Sequence, residues 1–527
     1  MSDKLNPIAA VNPSPVDDSS SNDNKSLTSS TDVHATTLKS QEAKSKLTLL
    51  EILGLRDPKP EARPVWDGKN PSWFRSTFFQ ITVLGACSFL SPGLWGATAA
   101  LGAGGSQDPS TVNAANSLTF GLMVLTSLFT SSLINVTSVK FALMLGTLGY
   151  APYAAGLYLN SVNQSQWLVI LGAGLCGTSA GTFWATEGAI ALGYPERLKQ
   201  ARYISYWLMF RVLGQLLGGI INLALNYHDA EKGSISTNTY LVFVILQCLA
   251  PFCAMLLSPP HMVQRSDKTP VYLHIESSTK RELKLIWKTI CKPQVLMLLP
   301  IIWQSTWSEA LIGTYAANYF TVRSRALGSL LSAITASLSN YILGFFLDWK
   351  KPTINTRAKS SFIVIYTLQA AWWAWAIYIM HEYHTTVPKP TFDWTTPGYG
   401  KGFGVYIFLQ IGFNVMYELN YWIIGNISDD PSELIRLASI LRGVESAGQC
   451  VSYGINSTSW RLDAVASLNM AQWAVSIMPA WFVIRKIGVL DDGTKIHEAR
   501  TYAEEGDRQK LKHAGLKTAD YDSKGDE

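Results

Sequence analysis

The chain has 527 residues, of which 48% are hydrophobic and only 15% charged, with 18 Trp and 22 Tyr. A formal charge of +5 is too mild for a nucleic-acid surface, and six cysteines without a CxxC pair supply neither a disulfide framework nor a zinc site. Two polar ends flank a long apolar middle, a partition that excludes an ordinary soluble domain.

Residues 1–70 form a cytoplasmic tail rich in Ser, Asn and Asp, too polar to bury a core and expected to be disordered. The tail lacks the charged-then-apolar start of a secretory signal. One short apolar patch, residues 47–55, reads either as a helix lying on a membrane or as a sticky stretch of tail. Twelve bilayer-length segments follow, at 74–99, 115–136, 139–159, 167–192, 203–225, 239–257, 295–319, 328–347, 361–380, 402–424, 437–456 and 464–484. Each is near the ~20 residues that a spanning helix needs. Backbone polar groups need internal partners in lipid, and the alternating strands of a closed barrel are missing. The expected fold class is therefore an all-α membrane protein of twelve transmembrane helices.

Lysine and arginine concentrate in alternate loops, such as Arg197, Lys199 and Arg202, or Lys350, Lys351, Arg357 and Lys359. By the positive-inside rule these loops and both termini face the cytoplasm. The longest loop, 259–294, divides the helices six and six, giving bundles at 71–258 and 295–486 and a cytoplasmic tail at 487–527. Within that loop, Thr279-Lys-Arg-Glu282 has the pattern of a capping box, and Leu283, Ile286, Trp287 and Ile290 share one helical face. The segment reads as an interfacial helix tying the halves to the inner leaflet, or as a plain linker helix.

Charged residues inside the apolar segments are the strongest functional signal. The interval from Glu187 to Arg211 equals that from Glu418 to Arg442. An ionised side chain at mid-membrane costs roughly 2.5–3.5 kcal/mol on insertion scales, so such residues are expected to pair. Helical rise sets all four roughly 10–12 Å inside the cytoplasmic surface. Glu445, one turn from Arg442, extends the group. Two readings stand: a permanent brace that keeps polar helices in register, and a cytoplasmic gate that breaks when the halves rock apart. Substrate or proton binding is compatible with either. Gly177/Gly181 and Gly214/Gly218 have the spacing of close helix approach. Glu309 lies deeper, roughly 20 Å in, and with Trp303, Trp307 and Gln80 is a candidate to line a cavity, where it would meet a cation or a coupling proton.

Gly344-Phe-Phe-Leu-Asp348-Trp-Lys350 resembles the GxxxD-[R/K] loop motif of the major facilitator superfamily, whose halves are parallel repeats. The counterpart in the first half, Ser131-Ser-Leu-Ile-Asn135, lacks both the glycine and the aspartate. That departure, with Phe183-Trp-Ala-Thr-Glu-Gly188, Arg211-Val-Leu-Gly-Gln215 and Arg442-Gly-Val-Glu-Ser-Ala-Gly-Gln449, is similar to the Unc-ninety-three-like branch and its fungal twelve-helix members. The resemblance covers residues 71–486. It implies secondary transport of a small solute by alternating access or, alternatively, a non-transporting regulator or trafficking chaperone of another membrane protein. No HExxH or phosphate-cradling loop is present and no His/Asp cluster lies at one depth, so no enzyme, cofactor or metal is expected. The expected partners are the lipid bilayer, a small-molecule substrate and, on the second reading, a membrane protein; plasma and internal membranes both stay open.

Overall fold

A chain in hydrocarbon must satisfy its backbone internally, and this one does so with helices. The computed structural model describes residues 48–57, 72–106, 108–196, 199–269, 271, 278–349, 351–428, 431–490 and 493–497. Among them there are helices and three isolated bridges, and no strand. The tails 1–47 and 498–527, and the loop residue Lys350, lie outside the described residues.

The helices run in chain order as α1 (Thr77–Ser88), α2 (Leu94–Ala100), α3 (Pro109–Val136), α4 (Val139–Leu148), α5 (Tyr150–Asn163), α6 (Trp167–Gly193), α7 (Gln200–Asn226), α8 (Thr237–Cys248) and α9 (Ala250–Ala254). There follow α10 (Thr279–Ile290), α11 (Pro293–Ser305), α12 (Ser308–Tyr319), α13 (Val322–Leu347), α14 (Ile354–Thr385), α15 (Tyr399–Gly425), α16 (Pro431–Asn456) and α17 (Leu462–Ile484). Some of their starts carry side-chain caps. The hydroxyl of Ser138 accepts from Phe141 N at 3.1 Å, and Asp108 accepts from Ser110 N ahead of Pro109. Pro92 sits in a wide turn, Phe89–Gly93, that joins α1 to α2 without ending the rod.

Eight rods are long and apolar enough to cross a membrane. Four more, α4 with α5, α15, α16 and α17, stand at the remaining expected spans. The charges they carry, Glu418 on α15 and Arg442 and Glu445 on α16 among them, lower their mean hydropathy. Several helices run beyond the expected ends, such as Ile354–Thr385 against 361–380. A helix that leaves the apolar layer keeps its hydrogen bonds, so hydropathy marks the layer and not the helix.

The glycine pairs are where helices touch. A Cβ on Gly177 or Gly181 would lie 2.4 Å from Thr119 O or 2.6 Å from Met123 O of α3, and one on Gly214 2.6 Å from Phe89 O. The rods share two ends. One, the linker end, carries residues 259–292; the far end carries Ala103–Gly105, the 227–236 turn and the 386–398 loop.

At the linker end, α10 begins with Ser278 as N-cap and without a side-chain cap bond, so the expected capping box does not form. Glu282 turns instead to Arg436 of α16, 3.2 Å away, a stronger partner than a backbone N–H. Ile286 and Ile290 pack against the core of the second half, while Trp287 is 67% exposed. The apolar patch of the tail forms a single turn, Leu49–Ile52, and is tied down just after it. Gly54 O accepts from the Ser138 hydroxyl at 2.7 Å, and Asp57 N donates to Thr137 O at 2.9 Å.

In the far-end loop, Asp393 accepts two bonds from Arg323, at 2.6 and 2.7 Å, and Trp394 lies under the same guanidinium. That guanidinium, with bonds from Thr395 and Thr321, outweighs partial burial and holds the Asp393 carboxyl well below the usual carboxylate range. A depressed folded-state value stabilises above the ordinary aspartate pKa of about 3.9 and is lost as pH falls below it. Asp393→Asn should therefore melt earlier than wild type at pH 7, and the gap should begin to narrow as melts are repeated from pH 5 down to pH 3. A gap that does not change with pH would remove the ion pair from the loop's stability.

Candidate functional site

Helical periodicity places one stripe from each of several rods around a common space. On α6 the stripe is Cys176, Ala180 and Trp184; on α7, Arg211 and Gln215; on α15, Gln410, Phe413, Asn414 and Tyr417. Arg442 and Gln449 come from α16, and Glu309 and Gly313 from α12. Together with α2 and α13 they enclose a cavity of about 130 Å³.

Its charges are arranged through aromatic rings. The Arg211 guanidinium carbon stands 5.6 Å from the Trp184 ring and 5.6 Å from that of Tyr417, and Arg442 lies over Trp184 at 4.3 Å. Each arginine thus reaches from its own half of the chain to an aromatic of the other. Arg442 also donates to Glu445 at 3.3 Å, a carboxylate with no exposed surface. Arg211 has neither a hydrogen bond nor an ion pair among the described residues, and its Nε is buried without a partner. Glu309 accepts from the Gln449 amide at 2.5 Å.

Two of the expected network members are elsewhere. Glu187 accepts from the Ser88 hydroxyl and from Trp207 Nε1, the latter at 2.5 Å. The antiparallel register that sets Glu187 against Trp207 sets Trp184 against Arg211, one turn further along both helices. Equal depth in sequence did not resolve that single turn. Glu418 follows Tyr417 by one residue and so points about 100° away from the cavity. Its carboxylate lies beside Gly344, whose added Cβ would sit 3.1 Å from Oε1, and its other oxygen is buried without a partner. Of the five residues Glu187, Arg211, Glu418, Arg442 and Glu445, only Arg442 and Glu445 form a close ion pair; Glu187 bears on both arginines at longer range, and Glu418 faces away from them.

Of the expected cavity group, Glu309 lines the space; Trp303, Trp307 and Gln80 do not. Trp303 and Trp307 stack on each other at 5.8 Å, and the Trp307 carbonyl accepts from Ser452 of α16. Trp307 and Glu309 are two positions apart, about 200° around a helix, which turns them to nearly opposite faces. Gln80 sits in the first turn of α1, donating to Phe74 O and accepting from Ser258 N at 2.6 Å, and so ties the linker end together. Asp348 closes α13, its N–H bonded to Gly344 O at 2.9 Å. Gln215 and Gln449 entered the sequence reading only as the ends of the two arginine motifs, and Tyr417 did not enter it. Their signal was present as the i, i+4 and i, i+7 recurrence of polar or aromatic residues with the two arginines.

Hydrogen bonds between residues 72–257 and 293–490 cluster toward the far end. Asn113 reaches Thr314 and Asn456 O, both at 2.9 Å; Asn222 reaches Ser329 at 2.9 Å; Tyr406 reaches Ala100 O at 2.8 Å. Arg325, 2% exposed, donates to the carbonyls of Leu101, Gly102, Ser106 and Gly233. The cavity is sealed on that side.

A multi-pass helical membrane protein with a charged central cavity sealed at one end has the architecture of solute transporters. The Major Facilitator Superfamily model matches residues 76–417, and the chain belongs to that superfamily. It is 44% identical over 427 residues, 81% of this chain and 92% of the other, to the Notoamide biosynthesis cluster protein O' of Aspergillus versicolor. It is 29% identical over 397 residues, 73% of this chain and 77% of the other, to an UNC93-like protein of Schizosaccharomyces pombe, the branch that its motifs resemble. The fold is shared with a POT family transporter solved in complex with 5-aminolevulinic acid, at a TM-score of 0.53 and 11% identity over 77% of this chain and 96% of that one.

Proposed function

We propose that the protein is a secondary transporter that moves a small organic solute by alternating access of two six-helix bundles, 71–258 and 295–486, joined by the 259–294 linker. The observation that carries this reading is the cavity of about 130 Å³ between the bundles, charged inside and sealed at the far end. With the lysine-rich loops in the cytoplasm, the far end would face outside, and its hydrogen-bonded seal would be the outer gate in its closed form. Arg211 over Tyr417 and Arg442 over Trp184 cross from one bundle to the other. Rocking must break or exchange these contacts, which makes them the cytoplasmic gate. A relative named for a biosynthetic cluster fits a solute of organic character. The eroded motif at 131–135 favours the second reading, a fixed partner of another membrane protein.

Distances decide between them. In a cysteine-free background, spin labels at Lys199 and Gly425 report the linker end, and labels at Ala230 and Lys389 report the far end. Two populations in lipid nanodiscs, shifting reciprocally at the two ends, are expected. One narrow population at both ends would leave the fixed partner.

A further inference from the structure

We propose that the central cavity binds a small organic anion whose carboxylate sits between Arg211 and Arg442 while its apolar body lies among Trp95, Phe120 and Phe413. The inference rests on the cavity being a solute site, and does not require that the solute be carried across.

The argument begins with the unpartnered cation. Guanidinium groups in proteins keep their charge, and a buried charge without a counter-ion is costly. Arg211 makes no hydrogen bond or close ion pair among the described residues: it faces the rings of Trp184 and Tyr417, meets Glu187, Glu309 and Glu445 only at longer range, and its Nε is buried and unbonded. The carboxylate nearest in the helix register, Glu187, is engaged by Ser88 and Trp207. Arg442 has a single partner at 3.3 Å, and its Nε is likewise buried without one. Both guanidinium carbons lie near the Trp184 ring, at 5.6 and 4.3 Å, so they stand no more than about 10 Å apart.

Among the side chains that line the cavity itself, guanidinium groups outnumber carboxylates, with Glu187 and Glu445 acting on them from behind the lining. Two arginines line it against one carboxylate, Glu309, which already accepts from Gln449. Glu445 has no exposed surface and faces the guanidinium of Arg442. Planar guanidinium forks match a carboxylate, and the surrounding rings match a hydrocarbon body. The volume of about 130 Å³ is near that of an engineered cavity of ~150 Å³ that accepts benzene, which sets the ligand at about one ring.

The test uses the full chain in nanodiscs and measures equilibrium binding and thermal unfolding. The probes are benzoate and phenylacetate, with benzylamine as a cation of the same shape and inorganic phosphate as an anion without an apolar body. Benzoate or phenylacetate should bind and raise the melting midpoint, and benzylamine and phosphate should do neither. Arg211→Gln should weaken acid binding at least tenfold while lowering the unliganded midpoint far less than loss of the Arg442–Glu445 pair does, because no hydrogen bond or close ion pair among the described residues depends on that guanidinium. Arg442→Lys, which keeps a cation beside Glu445, should weaken it less than Arg211→Gln. Failure of both acids on wild type, equal binding of benzylamine or of phosphate, or undiminished acid binding by Arg211→Gln would each overturn the proposal. Acid binding by a protein whose spin-label distances never move would sink transport and keep the anion site. Mobile bundles that ignore both acids would do the reverse.

Discussion

Arg325→Gln should unseal the far end. Arg325 on α13 is buried, has no carboxylate within ion-pair distance among the described residues, and spends its donors on four backbone carbonyls of the first half of the chain, at 2.7–3.1 Å. Hydrogen bonds to a charged group contribute about 1.5–3 kcal/mol each, and a carbonyl left buried without a donor adds its own desolvation cost. Glutamine replaces at most part of this set. Losing a single such bond from the sealed state alone shifts the equilibrium by at least about tenfold. Spin labels at Ala230 and Lys389 should then report a long, broad distance where wild type reports a short one, and the linker-end pair should close in step.

Gly102→Ala provides an independent route to the same result. Gly102 has φ +78°, and an added Cβ would lie 2.4 Å from Gly313 O, so alanine is both strained and obstructed in the sealed state. If both variants keep the wild-type far-end distance, the arginine is a structural brace and not part of a seal that opens.

Glu445→Ala should be the most damaging single change around the cavity. It leaves Arg442 buried with only the Trp184 face, and breaking a buried ion pair by removing one partner costs about 3–5 kcal/mol. That is a large share of the stability of most proteins, so little folded Glu445→Ala should survive size-exclusion in detergent. Arg442→Gln should be milder, since a lone carboxyl has a neutral form available and a guanidinium has none. The double variant should recover much of the loss of Glu445→Ala. A double variant no better than Glu445→Ala alone would mean that Glu445 acts on something other than Arg442.

The fold was legible because the bilayer imposes one length and one backbone solution, and apolar runs such as 203–225 state both. The ends were less so: α14 continues to Thr385 through His381 and Glu382, residues that hydropathy counts as loop. In the cavity, charged residues in apolar segments announced themselves, and Arg211, Arg442 and Glu309 do line it. Their neighbours were misassigned because depth along a helix is readable from sequence while rotation about it is not. Glu418 and Tyr417 are one residue apart and face different helices. Glu187 and Trp184 are three apart and differ by a turn, enough to exchange an expected ion pair for a cation–π contact. The amide partners Gln215 and Gln449 carried no charge to draw attention and were visible only as part of a stripe.

The far-end seal also bears on how this protein would look across many relatives. Arg325 reads main-chain oxygens, and main-chain oxygens are the same whichever side chains Leu101, Ser106 and their neighbours bear. Substitution there is constrained only by backbone shape, most sharply at Gly102, Gly104 and Gly105, all with positive φ. The arginine therefore has no partner residue to co-vary with. Methods that find contacts from correlated substitutions would pass over this lock, and an invariant arginine opposite a drifting loop would be its only trace.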